Sequence, residues 1–265
     1  MRHLGLDLGA TYIKWVVLED DEIVADGRLD TRAAHGPDAV VGRLISAGTA
    51  AGAVDTVGIG VPGLFDAERG VATFLPNLPG DWQKVPLTAR LAEALDAPAA
   101  LINDARAFAL AESTLGAARD CDTAVFVAVG TGVGGGIIVG GRLHEGRAGR
   151  AGEIGHVTIA EKGPLCTCGN RGCLEAFVRE ALGARRLRRA GQLLGIGVAN
   201  AIVLLAPDRV VIGGGVGSVG EKLLAPVRQE VARRVFVSVP VEIVQSELGV
   251  RAGAIGAALR GAGRG

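Results

Sequence analysis

The sequence predicts a two-lobe α/β protein, and three observations support that prediction. The chain has 265 residues, 49% of them hydrophobic, which suits one large α/β domain or two lobes. Strand-like apolar runs alternate with helical patterns along the chain. A strand, a glycine turn and a second strand open the chain, and the same arrangement starts again near residue 123. This repeat predicts two related lobes with a ligand cleft between them.

Apolar periodicity predicts the elements of the first half. The first helix has Val40, Val41 and Leu44 on one face, and Pro37 lies near its start. The strands before and after it are short apolar runs that end in glycine or in polar residues. The predicted strands are His3–Asp7, Ile13–Leu18, Glu22–Arg28, Thr56–Gly60 and Ala99–Ile102, and the predicted helices are Pro37–Ala51, Pro86–Leu95 and Asp104–Leu115.

The second half repeats this order of elements. A helical stretch over Leu174–Leu205 is predicted to break near Gly183 and at Gly191–Gly197, because glycine disfavours helix interiors. The predicted strands are Thr123–Val129, Gly135–Val139, Arg209–Ile212 and Val241–Gln245. A helix over Glu221–Phe236 is predicted between the last two strands, and a final helix begins at Gly253. We expect an N-terminal lobe over 1–117, with the last helix (about 250–265) packed on it, and a C-terminal lobe over 118–249.

Composition excludes several classes of function. The 28 basic and 28 acidic side chains balance, and only 3% of residues are aromatic, so we expect no nucleic-acid partner. The start of the chain has no apolar signal segment, and the most apolar stretch, Leu193–Ala206, is too short to span a membrane. Three cysteines within eight residues favour a metal site in a reducing compartment, which predicts a cytoplasmic protein.

The first glycine turn, Asp7–Thr11, is a candidate phosphate-binding site. Gly9 and Ala10 leave room for backbone N–H groups to point at a phosphate, and the Thr11 hydroxyl adds a donor. Asp7 could hold Mg²⁺ directly or through water. An ordinary hairpin turn is the alternative.

Two further glycine segments extend this pattern. Gly130–Gly136 has five glycines in seven positions but lacks the Gly-Lys-Ser/Thr of a P-loop, so a phosphate clamp on a hairpin is favoured over a plain turn. We assign Gly130, Thr131, Gly132 and Gly134 to it. Gly213, Gly214 and Gly215 follow a strand and would let backbone lie against adenine or ribose, although a tight turn fits equally well.

The pair Asn103-Asp104 lies where a buried strand ends and a helix begins. An aspartate there can cap the helix. It can also accept the proton of a hydroxyl that attacks phosphorus, since α/β proteins bind ligands at the carboxyl ends of strands. The local pattern favours neither role.

The cysteine cluster predicts a structural zinc site. One imidazole and three thiolates make a closed tetrahedral set, contributed by His156, Cys166, Cys168 and Cys173. Glu153 lies three residues before His156, and Glu175 two residues after Cys173, so the metal would also position Glu175.

Together these segments resemble the ROK family of bacterial sugar kinases and sugar-responsive repressors, over nearly the whole chain. The motif ending in Cys173-Leu174-Glu175 is the most specific part of the resemblance. The motifs, in family order, are Asp7–Thr11, Gly60–Gly63, Pro76–Leu78, Asn103–Ala105, Gly130–Gly136, Gly152–His156, Cys166–Glu175 and Gly213–Gly215.

The resemblance implies an actin/hexokinase-like fold of two ribonuclease-H-like lobes, assembled as a homodimer or homotetramer. It implies ATP-dependent phosphorylation of a free hexose, glucose to glucose 6-phosphate, as in glycolysis, with Asp104 as general base. The implied sugar-binding residues are Gly63, Asn103, Asp104, Glu153, His156 and Glu175. The implied cofactors are ATP and Mg²⁺ at the glycine segments and zinc at the His156 and cysteine cluster.

Two departures from the family pattern accompany the resemblance. Ala10 stands where the family usually has a second glycine, and the stretch around Ala181–Gly191 is shorter than in most members. The shortening affects the expected wall of the nucleotide pocket and the expected subunit contacts, but it removes none of the motif residues.

Three alternatives are kept. The first is another sugar: N-acetylmannosamine, N-acetylglucosamine, fructose or mannose. The second is polyphosphate as donor, although a Gly213–Gly215 nucleoside site favours ATP. The third is a non-catalytic sugar sensor, which is disfavoured because the repressors carry a DNA-binding segment before the first glycine turn, which here starts at Asp7.

Overall fold

A computed structural model describes residues 1–236 and 241–265 of the chain. The chain forms two compact units, one made of Met1–Ala111 with Arg251–Gly265 and the other of Glu112–Val250. The lobe limits predicted from the sequence lie close to these divisions. Within the described residues, no helix is long and apolar enough to cross a membrane.

Every strand and helix predicted from the sequence is present, with bounds shifted by a few residues. The strands are β1 Arg2–Leu8, β2 Tyr12–Glu19, β3 Glu22–Asp30, β4 Thr56–Val61, β5 Leu64–Asp66, β6 Val71–Phe74, β7 Ala99–Asn103, β8 Ala124–Val129, β9 Val133–Val139, β10 Arg142–Leu143, β11 Arg209–Gly213 and β12 Glu242–Gln245. The helices are α1 Pro37–Ala51, α2 Leu87–Leu95, α3 Asp104–Thr114, α4 Leu174–Gly183, α5 Leu187–Leu205, α6 Gly214–Gly217, α7 Glu221–Arg234 and α8 Ala252–Gly261. The short elements β5, β6, β10 and α6 were not predicted.

The two units contain sheets of the same topology. The first sheet has the order β3-β2-β1-β4-β7, and the second has the order β10-β9-β8-β11-β12. In each sheet the first three strands pair antiparallel and the last two join in parallel. The internal repeat predicted from the sequence is therefore confirmed as a repeated strand order.

Two glycines let α8 pack directly on the sheet of the first unit. A Cβ at Gly5 in β1 would lie 1.8 Å from the carbonyl oxygen of Ala254, and one at Gly58 in β4 would lie 1.6 Å from that of Ala257. Neither distance is compatible with a side chain. Glycine on adjacent strands thus brings the last helix of the chain back onto the N-terminal sheet.

The predicted helix break at Gly191–Gly197 is wrong, whereas the break near Gly183 is confirmed. Helix α5 runs without interruption from Leu187 to Leu205. A Cβ at Gly191 would lie 2.7 Å from the carbonyl oxygen of Leu223 in α7, and one at Gly195 would lie 2.6 Å from Cβ of Glu230. These glycines allow close packing of α5 on α7, and that packing outweighs their low helix propensity.

Candidate functional site

One group of candidate residues lies at one edge of the sheet in the first unit. The parallel strands β1, β4 and β7 are in register so that Asp7 pairs with Gly60, and Val61 with Asn103. Their carboxyl ends therefore meet at the same edge, which is where α/β sheets bind ligands. This register brings together the candidate residues Asp7, Gly63, Asn103 and Asp104.

Hydrogen bonds hold the turn between β1 and β2. The Gly9 N–H donates to the Tyr12 carbonyl oxygen at 3.1 Å, and the Thr31 hydroxyl donates to the Gly9 carbonyl oxygen at 2.6 Å. The Thr31 N–H also donates to the carbonyl oxygen of Thr11 at 2.9 Å. Ala10 and Thr11 are exposed at the tip, so they are accessible to a ligand.

Asp7 is held between a lysine and a helix. Lys14 Nζ lies 2.8 Å from Asp7 Oδ2, because the hairpin register pairs these two residues on β1 and β2. A Cβ at Gly253, in the first turn of α8, would lie 2.9 Å from Asp7 Cγ. The carboxylate thus lies against a helix N-terminus, whose dipole favours negative charge. Lys14 and Thr31 were not predicted from the sequence. Lys14 could have been found, because a tight hairpin between the first two predicted strands pairs it with Asp7.

Asn103 is the residue that caps α3. Its Oδ1 accepts the backbone N–H groups of Ala105 at 3.0 Å and Arg106 at 3.2 Å, the usual pattern of an N-cap side chain. Asn103 Nδ2 also donates to the Gly63 carbonyl oxygen at 3.4 Å. Asp104, half-buried as the first residue of the helix, accepts the Ala105 N–H at 2.8 Å. The carboxylate is therefore not required as the N-cap.

Gly63 has a structural reason to be glycine. Its φ is +92°, and a Cβ there would lie 2.3 Å from the Phe74 carbonyl oxygen. The left-handed backbone and the close contact both exclude a side chain.

A second group of candidate residues lies within the other unit. The turn between β8 and β9 is shorter than the predicted glycine loop: it covers 130–132, and Gly134 to Gly136 belong to β9. The Gly130 N–H donates to the Gly132 carbonyl oxygen at 2.9 Å. A Cβ at Gly135 would lie 2.6 Å from the Gly152 carbonyl oxygen. Glycine at this position therefore allows the backbone at Gly152 to pack against β9.

The Gly213–Gly215 segment adjoins that turn. Gly213 pairs with Ala128 on β8, and a Cβ at Gly214, whose φ is +85°, would lie 2.6 Å from the Val129 carbonyl oxygen. At Gly215 a Cβ would meet no atom within 4 Å. The two glycine segments therefore share the carboxyl edge of the second sheet.

The four predicted metal ligands form one cluster. The ligand atoms of His156, Cys166, Cys168 and Cys173 all lie within 4.8 Å of one another. His156 Nδ1 is 3.6 Å from Cys166 Sγ, and the Sγ atoms of Cys168 and Cys173 are 3.7 Å apart. Tetrahedral zinc with Zn–S bonds of about 2.3 Å separates its sulfurs by about 3.8 Å, so the cluster fits zinc.

The thiols carry no disulfide and differ in acidity. All four cysteines of the chain are free. Burial, together with the hydrogen bond that the Cys173 thiol makes to Cys168, raises the pKa of the Cys173 thiol to about 12. The backbone N–H of Asn170 stabilises the Cys168 thiolate and lowers its pKa. A soft cation that takes thiolates would supply the charge that stabilises a deprotonated Cys173.

Glu175 and Glu153 also belong to the candidate residues of the second unit. Glu175, in the first turn of α4, accepts the Val133 N–H at 3.0 Å and the Thr167 hydroxyl at 3.3 Å. Glu153 is exposed, and its carbonyl oxygen accepts the His156 N–H at 3.0 Å. Glu175 thus connects the start of β9 to the segment that contains the cysteines.

A comparison with protein-family models matches the ROK family over residues 3–182 and 179–260. The chain belongs to the ROK family. The two matched segments meet at 179–182, beside the stretch expected to be shorter than in most members. The turn there is short, since only residues 184–186 separate α4 from α5.

Curated relatives match the chain over two thirds or more of its length. A glucokinase from Thermotoga maritima is 35% identical over 97% of this chain and 96% of its own. That alignment runs over 310 residues, more than the 265 present here, so the relative has segments that this chain lacks. A xylose repressor from Caldicellulosiruptor bescii is 32% identical over 69% of this chain and 55% of its own.

The solved structures agree with the repeated sheets. A ROK family glucokinase from Streptomyces griseus, crystallised with glucose and AMPPNP, superposes with a TM-score of 0.87 at 28% identity. The match covers 99% of this chain and 100% of that one. The predicted fold class is confirmed: this ROK chain has the two-lobe actin/hexokinase-type α/β fold.

Proposed function

We propose that this chain transfers the γ-phosphate of ATP to a hydroxyl of a free hexose, with glucose as substrate and glucose 6-phosphate as product. The chain is a sugar kinase of the ROK family. Its full-length similarity to glucokinases supports that activity and favours glucose. The observation that carries the mechanism is the pair at the start of α3, where Asn103 caps the helix and Asp104 need not.

Asp104 is the proposed general base. As the sugar hydroxyl attacks phosphorus, its proton passes to the Asp104 carboxylate, and the bond between the γ-phosphorus and the bridging oxygen breaks to release ADP. Asn103, Gly63, Glu153, His156 and Glu175 are the proposed sugar-binding residues. The bond between Asn103 and the Gly63 carbonyl oxygen supports this, because it keeps the base and the Gly63 turn together.

The glycine turns are the proposed donor site. Backbone N–H groups at Gly9–Thr11 and Gly130–Gly132 would bind phosphate oxygens, and Gly213–Gly215 would lie near the nucleoside. Lys14 is added to this set because its ammonium group lies beside Asp7 at the first turn. Mg²⁺, when bound, neutralises phosphate charge, and a single carboxylate such as Asp7 together with phosphate oxygens is its usual ligand set.

The test is Asp104→Asn, which keeps the size of the side chain but removes the base. We expect glucose binding to stay within about twofold, and kcat to fall by about 10²–10⁴, the usual contribution of a general base. A coupled assay measures turnover and calorimetry measures binding. Glu93→Gln, an exposed change in α2, is the control. Near-normal turnover in Asp104→Asn contradicts the assignment.

A sugar sensor is the second candidate, since repressors are among the relatives. Wild-type protein that binds glucose without any phosphate transfer would favour it. The same assay over a panel of hexoses, with ATP and polyphosphate as donors, tests the choice of sugar and donor. The expected cytoplasmic location and homodimer or homotetramer stay predictions.

A further inference from the structure

Glu175 connects the metal-binding segment to the glycine turn of the second unit. One carboxylate oxygen, Oε2, accepts the N–H of Val133, the residue that follows the turn at 130–132. The other, Oε1, accepts the hydroxyl of Thr167, which lies between the candidate ligands Cys166 and Cys168. The Glu175 side chain therefore joins the start of β9 to the cysteine segment, since Val133 and Thr167 are 34 residues apart in the sequence.

The Glu175 carboxylate also lies close to Gly132. A Cβ at Gly132 would lie 2.4 Å from Glu175 Oε2, and the nearest atoms around it all belong to Glu175. The φ of Gly132 is outside the left-handed region, so the backbone itself does not demand glycine. A side chain at this position would therefore have to displace the Glu175 carboxylate.

The Val133 peptide is held from the carbonyl side as well. A Cβ at Gly155, the residue before His156, would lie 1.9 Å from the Val133 carbonyl oxygen. The segment that carries the histidine ligand thus packs directly on β9. Glu175 lies at the N–H of Val133 and Gly155 at its carbonyl oxygen, and both residues come from the metal-binding part of the chain.

We propose that Glu175 is a positioning residue for the phosphate-binding turn, so that donor binding depends on it even when no sugar is present. This role is additional to its proposed contact with the sugar, and it rests on the assignment of the turn at 130–132 to ATP. Backbone N–H groups bind phosphate well only when the turn is held in one conformation. A hydrogen bond from Val133 to a charged carboxylate supplies that restraint.

The experiment measures AMPPNP binding by calorimetry without sugar, together with zinc content and hydrogen exchange at the Val133 amide. In Glu175→Ala we expect Kd for AMPPNP to rise about tenfold, the low end for a hydrogen bond to a charged group, and Val133 to exchange faster. Glu180→Ala, an exposed residue of the same helix, is the matched control and should match wild type.

Gly132→Ala provides a second variant that leaves every metal ligand in place. Its methyl group would displace the Glu175 carboxylate, so it should weaken AMPPNP binding to a similar degree with full zinc content. Because both changes break one contact, the double variant should bind no worse than Glu175→Ala alone.

Two results overturn the proposal. One is unchanged AMPPNP binding and unchanged Val133 exchange in Glu175→Ala. The other is unchanged binding in a zinc-replete Gly132→Ala, which decides the matter if Glu175→Ala loses its metal. Failure of the proposed function is distinguishable, because wild-type protein would then bind no AMPPNP at all.

Discussion

Replacing Glu112 with alanine tests how the chain is held where it enters the second unit. The Glu112 side chain is fully buried at the end of α3. Its Oε2 accepts the backbone N–H of Ala117 at 2.9 Å and that of Glu247 at 3.2 Å, and its Oε1 accepts that of Leu248 at 2.9 Å. The carboxylate thus binds the first residues of the second unit, at Ala117, to its last residues, at Glu247 and Leu248.

The expected loss of stability follows from these three bonds. A buried donor left without an acceptor costs about 1–3 kcal/mol. Alanine removes the acceptor of three N–H groups, of which only that of Ala117 is buried. The N–H groups of Glu247 and Leu248 can turn toward water and cost less, so we expect a loss of about 2–5 kcal/mol. Glutamine keeps one carbonyl oxygen but turns an NH₂ group toward an N–H, which predicts a smaller loss of about 1–3 kcal/mol.

Urea denaturation followed by circular dichroism measures this loss, with Glu93→Ala as an exposed control. Both tryptophans, Trp15 and Trp82, belong to the first unit, so their fluorescence shows whether the destabilisation spreads beyond the unit that contains the bonds. A Glu112→Ala protein within about 1 kcal/mol of wild type would refute the reasoning, since surface changes usually fall within about half that range.

Two further predictions concern the donor site and the metal. Lys14→Met should raise KM for ATP about tenfold with little change in KM for the hexose, because it removes the proposed charged partner of the phosphates. Lys162→Met is the exposed control. Equal effects on both KM values would contradict the role. Zinc titrated into metal-free protein should release protons, because burial raises the pKa of Cys173 to about 12 and the thiol must ionise to bind. Zinc affinity should therefore increase with pH. Calorimetry in two buffers of different ionisation enthalpy checks the release, and equal heats in both would speak against it.

Local patterns in the sequence were sufficient for the order of elements and for the metal cluster. Strand and helix periods survive in the folded chain because each element buries one face or is wholly buried. The four residues of the candidate metal cluster could be predicted because residue type and spacing alone identify such a set. Asp104 could not be assigned from its position, because a helix N-terminus suits a cap and a base equally.

By itself, the sequence determined the α/β class, the internal repeat, the ROK motifs and the candidate metal cluster. Only the tertiary structure decided why individual glycines are present: Gly132 accommodates Glu175, and Gly191 and Gly195 accommodate α7. It also decided that Asn103 caps α3, that Lys14 pairs with Asp7, and that the glycine turn is shorter than its run of glycines. The physical reason is the same in each case. A glycine or a polar side chain is selected by the atoms that it meets in space, and those atoms come from residues distant in the sequence.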